Sequence, residues 1–322
     1  MRHGHRAATS NRPITMARGE DEASVVIACF TTKRWTLLSA AVESALAQSV
    51  RARDIIIVVD HNPDLQHMVS KAWPSVRVLA NRFGEGASGA RNTGAFQVDS
   101  PVVAFLDDDA VAEPGWLEAL LAGFEDSSVV GVGGGVIPAW DDRRPSWFPD
   151  EFAWVVGASY PGLPRSVGVV RNVWAENMAV RTDRFLEVGG FRLDFGKVGS
   201  HSSPEDTDLC IRMASNGGRW LYVPQALITH HVPADRSTFR YFLRRSFHEG
   251  EGKAALAALT PTDSLSTERE YLRHIIPQAV GRGLRDALLE RRLVPATRSG
   301  VIVIGLLAAG AGFGHERLKP RR

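Results

Sequence analysis

Short, uninterrupted apolar runs recur through the N-terminal third of the chain: Ser24–Phe30 (SVVIACF), Asp54–Val59 (DIIIVV), Ser75–Leu79 and Pro101–Leu106 (PVVAFL). Runs of this length suit strands, and apolar character on every residue rather than every second one means burial on both faces. Between them lie stretches of helical periodicity. Trp35–Gln48 carries Leu37, Leu38, Ala41, Ala45 and Leu46 at helical spacing, and a second helix is expected from about Gly89 to Phe96. The pattern predicts an α/β fold: a Rossmann-like, mostly parallel sheet flanked by helices. The second half is less regular, with an apolar run at Gly131–Val136, a Trp- and Pro-rich stretch from Trp140 to Trp154, a helix over Glu205–Asn216 and a strand over Trp220–Ile228. Ser237–Leu259 predicts a helix pair interrupted at Gly250 and Gly252, the start of a C-terminal helical extension.

The chain has 322 residues, and its 38 Lys and Arg nearly balance 36 Asp and Glu. The net charge of +2 gives no basic field of the kind that draws nucleic acid. Cys29 and Cys210 stand far apart with no Cys-x-x-Cys or Cys/His cluster, which argues against a disulfide scaffold or a zinc site and suits a reducing, cytosolic-facing compartment. Residues 1–22 are polar and basic, lack the apolar core of a secretory signal, and read as a disordered tail. Ser299–Gly314 is an uncharged, mostly apolar run of 16 residues with basic flanks. It is shorter than the roughly 20 residues a membrane span needs. A buried core helix and an interfacial or re-entrant membrane segment both remain open for it. The resulting division is a tail (1–22), an α/β domain (23–232), a helical extension (233–298) and an apolar segment with a basic tail (299–322).

The residues with the most chemistry are Asp107, Asp108 and Asp109, directly after PVVAFL and before Pro114. In an open parallel sheet, ligands bind at the carboxyl ends of strands. Adjacent carboxylates repel one another, and a hard divalent cation, Mg2+ or Mn2+, relieves that repulsion while engaging a substrate's phosphates. A metal site is preferred from this position over an acidic turn that caps the next helix. Asp60 ends the second strand, where a carboxylate can accept from a ribose hydroxyl or base N–H. Taken alone, it suits a turn or helix N-cap better.

Together the motifs SVVIACF, VVDHN, SGARNTG, FLDDD, GGGV, WAENMAV, VGGF and PEDTDLCIR, in that order from Ala23 to Arg212, resemble family 2 glycosyltransferases of the GT-A fold. The resemblance implies a nucleotide-sugar pocket drawing on Phe30, Asp60, Arg91, Asp107, Asp108 and Asn177, with Asp60 at the base or ribose and Arg91 beside the nucleotide. It implies Mn2+ or Mg2+ held by Asp109 and Asp107, with His230 preferred over His231 as a further ligand. It places the general base at Asp206 with Glu205 alongside, although both acids also suit a helix N-terminus. The implied reaction is an inverting transfer of a sugar from a nucleotide-sugar, UDP-linked by expectation; the apolar C-terminal segment with its basic flanks points to a saccharide or polyprenyl-linked acceptor of the cell envelope, with peripheral membrane contact at the inner face. Trp174, Glu176 and Asn177 are expected around the sugar.

Two departures qualify the resemblance. Ala28-Cys29-Phe30-Thr31 replaces the family's Pro-Thr-Tyr-Asn, which leaves the base contacts open, and the Gln-x-x-Arg-Trp motif of processive synthases is absent, which favours single addition. Arg240, Arg244 and His248, four apart, could hold an acceptor diphosphate, though a charged solvent face accounts for them more simply. Gly84-x-Gly86-x-x-Gly89 matches a dinucleotide fingerprint, and an NAD(P)-binding oxidoreductase is the main alternative, but the fingerprint belongs after the first strand. A sugar nucleotidyltransferase lacks its Gly-rich loop here, and a non-catalytic sugar-binding module would not need both acidic clusters.

Overall fold

A computed structural model describes residues 22–194, 197–198, 201–202, 204–259 and 265–319. The tail expected over 1–22 therefore lies almost wholly outside the described residues. The strands are β1 (Ala23–Cys29), β2 (Ile55–Val59), β3 (Arg77–Ala80), β4 (Val102–Asp107), β5 (Ala110–Ala112), β6 (Val129–Trp140), β7 (Gly168–Val170), β8 (Asn177–Arg181), a short β9–β10 ladder (Lys197–Val198, His201–Ser202) and β11 (Arg219–Val232). Nine of them form one sheet in the order β3-β2-β1-β4-β8-β6-β11-β5, with β7 also on β11. The first half is parallel, as expected: β1 pairs with both β2 and β4. Beyond β4 the sheet is mixed, because β8 runs antiparallel to β4 and β6 while β6 and β11 are parallel.

The sheet is covered on both faces. Helices α1 (Trp35–Leu46), α2 (Pro63–Ala72) and α4 (Trp116–Ala122) pack Leu38, Val42, Leu65, Val69, Trp116 and Leu120 over one face. On the other, α3 (Ala87–Ala95), α5 (Thr182–Glu187) and α6 (Glu205–Ala214) join Phe185, Leu209 and Met213 to the inward residues Val26, Phe105 and Met178. Helix α2 was not expected, yet its start was written in the sequence: the Asn62 side chain accepts from the Leu65 N–H at 3.0 Å, and Pro63 opens the first turn. The three-residue strand β5 was also unforeseen, and Pro114 stands just ahead of a helix that begins at Trp116. Strand β11 runs on to Val232, which places His230 inside a strand rather than beyond one. The GGGV motif has a packing cause, since a Cβ at Gly134 would lie 1.8 Å from the Ala226 carbonyl oxygen of β11.

The C-terminal extension is all helical: α7 (Phe239–Leu259), α8 (Ser266–Glu270), a π-helical turn (Tyr271–Ile275), α9 (Ile276–Glu290) and α10 (Leu293–Leu318). The helix pair expected over Ser237–Leu259 is one continuous helix. Gly250 interrupts the periodicity because α10 passes there: a Cβ on Gly250 would meet the Ala309 carbonyl oxygen at 1.9 Å, and one on Gly312 would meet that of Phe247 at 1.9 Å. A third apolar cluster, including Phe148, Phe152, Phe242, Ile276, Val301 and Ile302, binds this extension to the sheet domain. The apolar run Ser299–Gly314 lies within the 26-residue α10, whose Val301, Ile302, Gly305 and Gly312 are buried while the opposite side is exposed.

Candidate active site

The parallel strands β2, β1 and β4 end in register, with Cys29 beside Val59 and Ala28 beside Asp107, so Phe30, Asp60 and Asp107 all emerge at one edge of the sheet. Phe30 is half exposed, and the Arg34 guanidinium lies 5.4 Å from its ring centroid. Asp60 is tied inward. Its Oδ1 lies 2.6 Å from Asn81 Nδ2 and 2.7 Å from His61 Nδ1, and its Oδ2 accepts from the Gly86 N–H at 2.8 Å. The Gly84/Gly86/Gly89 turn therefore follows β3 and closes onto Asp60. Gly86, at φ 132°, takes a backbone conformation open to few other residues.

Arg91, on α3, is buried and joins two acids. Its Nη2 donates to Asp107 Oδ1 at 2.5 Å, and its Nη1 lies 3.6 Å from Glu205 Oε1 with no hydrogen-bond partner. Burial works against its charge, but Asp107 and Glu205 outweigh that and hold it firmly ionised. The side chains of Asp108 and Asp109 are buried, and Arg34 clamps both, with Nη1 2.8 Å from Asp108 Oδ1 and 3.0 Å from Asp109 Oδ2. Burial, with Asp109 beside it, pushes Asp108 up to about 7, and its Oδ2 has no partner. Asp109 goes the other way. Burial alone would raise it, but His230 and Arg34 hold its carboxyl well below the usual range.

His230 Nε2 lies 3.4 Å from Asp109 Oδ1 and 4.0 Å from Glu176 Oε2. Burial lowers the affinity of the ring for a proton, but Glu176 and Asp109 reverse this and bring it to about 9. His231, next along the strand, points elsewhere and pairs with Asp141 at 2.5 Å. Glu176 is pushed up to about 8 by burial, against the pull of His230, and its Oε1 has no partner.

Glu205 and Asp206 open α6. Burial, with Asp206 alongside, raises Glu205 to about 7, and burial also raises Asp206, against the nearby Lys253. Asp206 Oδ1 accepts from the Thr207 N–H at 2.6 Å. Lys253 belongs to a charged chain that sequence reasoning did not single out. Arg171 binds Glu268 through two bonds of 2.6 and 2.7 Å, Glu268 lies 2.8 Å from Lys253, Lys253 lies 3.3 Å from Glu249, and Glu249 lies 2.8 Å from Arg245. Arg245, Glu249 and Lys253 recur four apart on α7, one residue out of phase with the Arg240/Arg244/His248 stripe. Arg240 and Arg244 are exposed, and His248 bonds Glu251 at 2.8 Å. The alternation of signs at four-residue spacing was the available signal.

Asn177 is engaged inside the fold. It is 1% exposed, accepts from Trp116 Nε1 at 2.7 Å, and donates to the Gly135 and Ala226 carbonyls at 2.9 Å each. These bonds tie β8 to β6, β11 and α4, so the structure does not bring this side chain to the cleft. Arg34, in contrast, was missed; a cation in the turn after the first strand was its only mark. The remaining expected residues, Phe30, Asp60, Arg91, Asp107, Asp108, Asp109, His230, Glu205 and Asp206, are gathered by the ends of β1, β2 and β4, by β11 and by the starts of α3 and α6.

Comparison with known proteins bears on the family and the fold. Residues 24–185 match the profile of Glycosyl transferase family 2. The chain is 33% identical over 298 residues to glucosyl-dolichyl phosphate glucuronosyltransferase of Haloferax volcanii, covering 91% of this chain and 94% of that one. It is 30% identical over 246 residues to pre-mycofactocin glycosyltransferase of Mycobacterium tuberculosis, covering 74% of this chain and 50% of the relative. Its fold superposes on a mannosyltransferase of Pyrobaculum calidifontis, solved with GDP-Man and Mn2+, with a TM-score of 0.60 at 15% identity, over 93% of this chain and 90% of that one. From its matched profile and its full-length relative, this chain belongs to glycosyl transferase family 2 and is a glycosyltransferase of the GT-A fold.

Proposed function

We propose that this enzyme transfers one sugar from a nucleoside-diphosphate sugar, UDP-linked in our reading, onto a hydroxyl of a saccharide carried by a lipid, with inversion at the anomeric carbon. The observation that carries the proposal is the meeting at one sheet edge of buried and half-buried carboxylates in two groups, Asp107–Asp109 beside His230 and Glu205–Asp206, bridged by Arg91. The name of the Haloferax relative supports the acceptor class, since a glucosyl-dolichyl phosphate is a lipid-linked saccharide. Such an acceptor is held in a membrane, and our reading puts the enzyme at the cytoplasmic face.

The residues present suit a divalent cation. Asp109 and His230 supply oxygen and nitrogen donors, and Asp108 Oδ2 and Glu176 Oε1 are buried oxygens without partners. Among the described residues no three such side chains form a ready-made metal cluster, so phosphate oxygens of the donor would complete the shell. When bound, Mn2+ or Mg2+ neutralises charge on the departing nucleoside diphosphate. The protein's own part is positional. Phe30 offers a ring at the nucleotide edge, Asp60 and Asp107 offer acceptors to the nucleoside, and Arg34 and Arg91 hold the acids in place. Asp206 takes the proton of the acceptor hydroxyl as its oxygen bonds to the anomeric carbon and the bond to the diphosphate breaks.

Binding is tested first. UDP or GDP with Mn2+ is expected to stabilise the wild-type chain by about 2.7 kcal/mol at a hundredfold excess over Kd. Neither component alone should do so, and Asp109→Asn should remove the response. A shift that needs no metal, or that survives the substitution, counts against the proposal.

A second test concerns the base. The positive charge of Lys253 opposes the burial that raises Asp206, so Lys253→Met should move the acid limb of the pH–rate profile to higher pH. Lys253→Arg should keep the limb in place. An unmoved limb in Lys253→Met would separate α7 from the chemistry.

A further inference from the structure

The hairpin between α9 and α10 ends in three leucines that face solvent almost completely. Leu288, Leu289 and Leu293 are 81%, 75% and 83% exposed. The turn is set by Arg291 in the left-handed region at φ 53°, which stops α9, and by Arg292 in extended conformation ahead of α10. Large apolar side chains at the tip of a fold are costly in water, and a contiguous group of them marks a contact surface.

The patch continues along α10. Thr297, Gly300, Val303, Ile304, Leu307, Gly310 and Ala311 are exposed and recur at helical spacing, and no charged residue interrupts Ser299–Gly314. Length and composition alone would let this helix cross a bilayer. Its packing opposes that. Its other side is pressed onto α7 at Gly250 and Gly312, and a Cβ on Gly305 would meet the Phe152 ring at 2.5 Å. Leaving this seat would strip the third apolar cluster. A helix with one side fixed to a globular domain and the other uncharged and open is built to lie on an apolar phase.

The charges around the tip identify that phase. Between residues 282 and 298 there are five arginines against two acids. Arg282 and Arg298 are turned back onto Glu151 and the Ser146 carbonyl, while Arg285 and Arg292, 3.1 Å from Asp286 and 3.9 Å from Glu290, keep side-chain exposures of 68% and 76%. Arginine stems can lie along apolar material while the guanidinium meets phosphate.

We infer that Leu288, Leu289 and Leu293 insert into the interfacial layer of an anionic phospholipid membrane, with Arg285, Arg291 and Arg292 on the lipid phosphates and the open side of α10 resting on the surface. The inference rests on the lipid-linked acceptor proposed above: a tip that enters the headgroup layer holds the catalytic domain at the depth where such an acceptor presents its saccharide.

The test is co-sedimentation of the full chain with vesicles of phosphatidylcholine alone and of phosphatidylcholine mixed with phosphatidylglycerol. Wild-type protein is expected in the pellet with the anionic vesicles. The triple variant Leu288→Ser, Leu289→Ser, Leu293→Ser should partition at least about tenfold less, because each leucine contributes apolar burial that serine lacks. Arg285→Gln, Arg291→Gln, Arg292→Gln should lose the preference for anionic vesicles. These side chains are exposed, so melting temperature and the nucleotide response with Mn2+ should be unchanged in both variants. Wild-type protein that stays in the supernatant overturns the inference, as does a serine variant that pellets like wild type. A wild-type dimer in light scattering that the serine variant dissolves, with no vesicle binding, shows instead that a second copy covers the leucines. Failure of the nucleotide response in wild type bears on the donor proposal alone, since vesicle binding is read separately.

Discussion

Asp206→Asn is expected to lower turnover by about 10²- to 10⁴-fold, the usual contribution of a positioned general base, while the thermal response to nucleotide and Mn2+ stays at the wild-type level. The split follows from geometry. Asp206 lies in the first turn of α6 and faces the charges of α7, whereas the edge proposed to take the nucleotide is formed by the ends of β1, β2 and β4. Asparagine keeps the size of the side chain and can still accept from the Thr207 N–H, so the helix start survives. The same pair dictates a pH dependence. Burial raises Asp206 above the ordinary carboxylate range, so its proton-accepting form gains population at higher pH than that of a free aspartate. Wild-type kcat/KM should climb with pH beyond the range of a free aspartate and then level. An Asp206→Asn enzyme of unchanged rate would place the base elsewhere.

Arg91→Met should cost about 3–5 kcal/mol of stability, as expected when one partner of a buried ion pair is removed and the other is left uncompensated. Arg91 is 5% exposed and faces both Asp107 and Glu205, so its loss affects two acids at once. The sign of the pH effect is fixed by linkage. Glu205 already has a folded-state value above its ordinary one, so its contribution favours the folded chain at low pH and is lost as pH rises towards 7. Without Arg91 that value rises further, so the share of the deficit carried by Glu205 should be small near pH 5 and largest above pH 7, on top of the loss of the shorter bond to Asp107. Urea unfolding at the two pH values measures it. A deficit that does not grow with pH would mean that Arg91 acts through Asp107 and through packing against Phe191, whose ring centroid lies 5.7 Å away, rather than through Glu205.

Much of this was legible in the sequence because local chemistry and tertiary position coincide at strand ends. A buried strand such as Val102–Asp107 announces itself by continuous apolar character, and the acids that follow it must then stand at the sheet edge. Helix starts such as Glu205 are marked by their own residues. What was not legible depended on partners distant in sequence. Asn177 sits in a motif that suggests a ligand contact, but its donors and acceptors are engaged by Trp116, Gly135 and Ala226, and no local pattern discloses that. The direction of β8 is likewise set by its two neighbours, not by its five residues. Arg34 needed the fold to bring the turn after β1 against Asp108 and Asp109, 74 and 75 residues on. On α7 the helix was evident, but the choice between the Arg240 and Arg245 stripes depended on which side meets Glu268 and the start of α6.

The seam between α7 and α10 also orders events in time. Synthesis delivers the strands that carry Phe30, Asp60 and Asp107 first, and their parallel pairing needs nothing beyond β4. The helix bearing Lys253 comes later, and its tight seat, at Gly250 against Ala309 and at Phe247 against Gly312, exists only once the final helix has been made. A nascent chain thus pairs the strands of the Phe30, Asp60 and Asp107 edge well before the surroundings of Asp206 are complete. Premature release within α10 would leave that edge paired and the seat of α7 unmade.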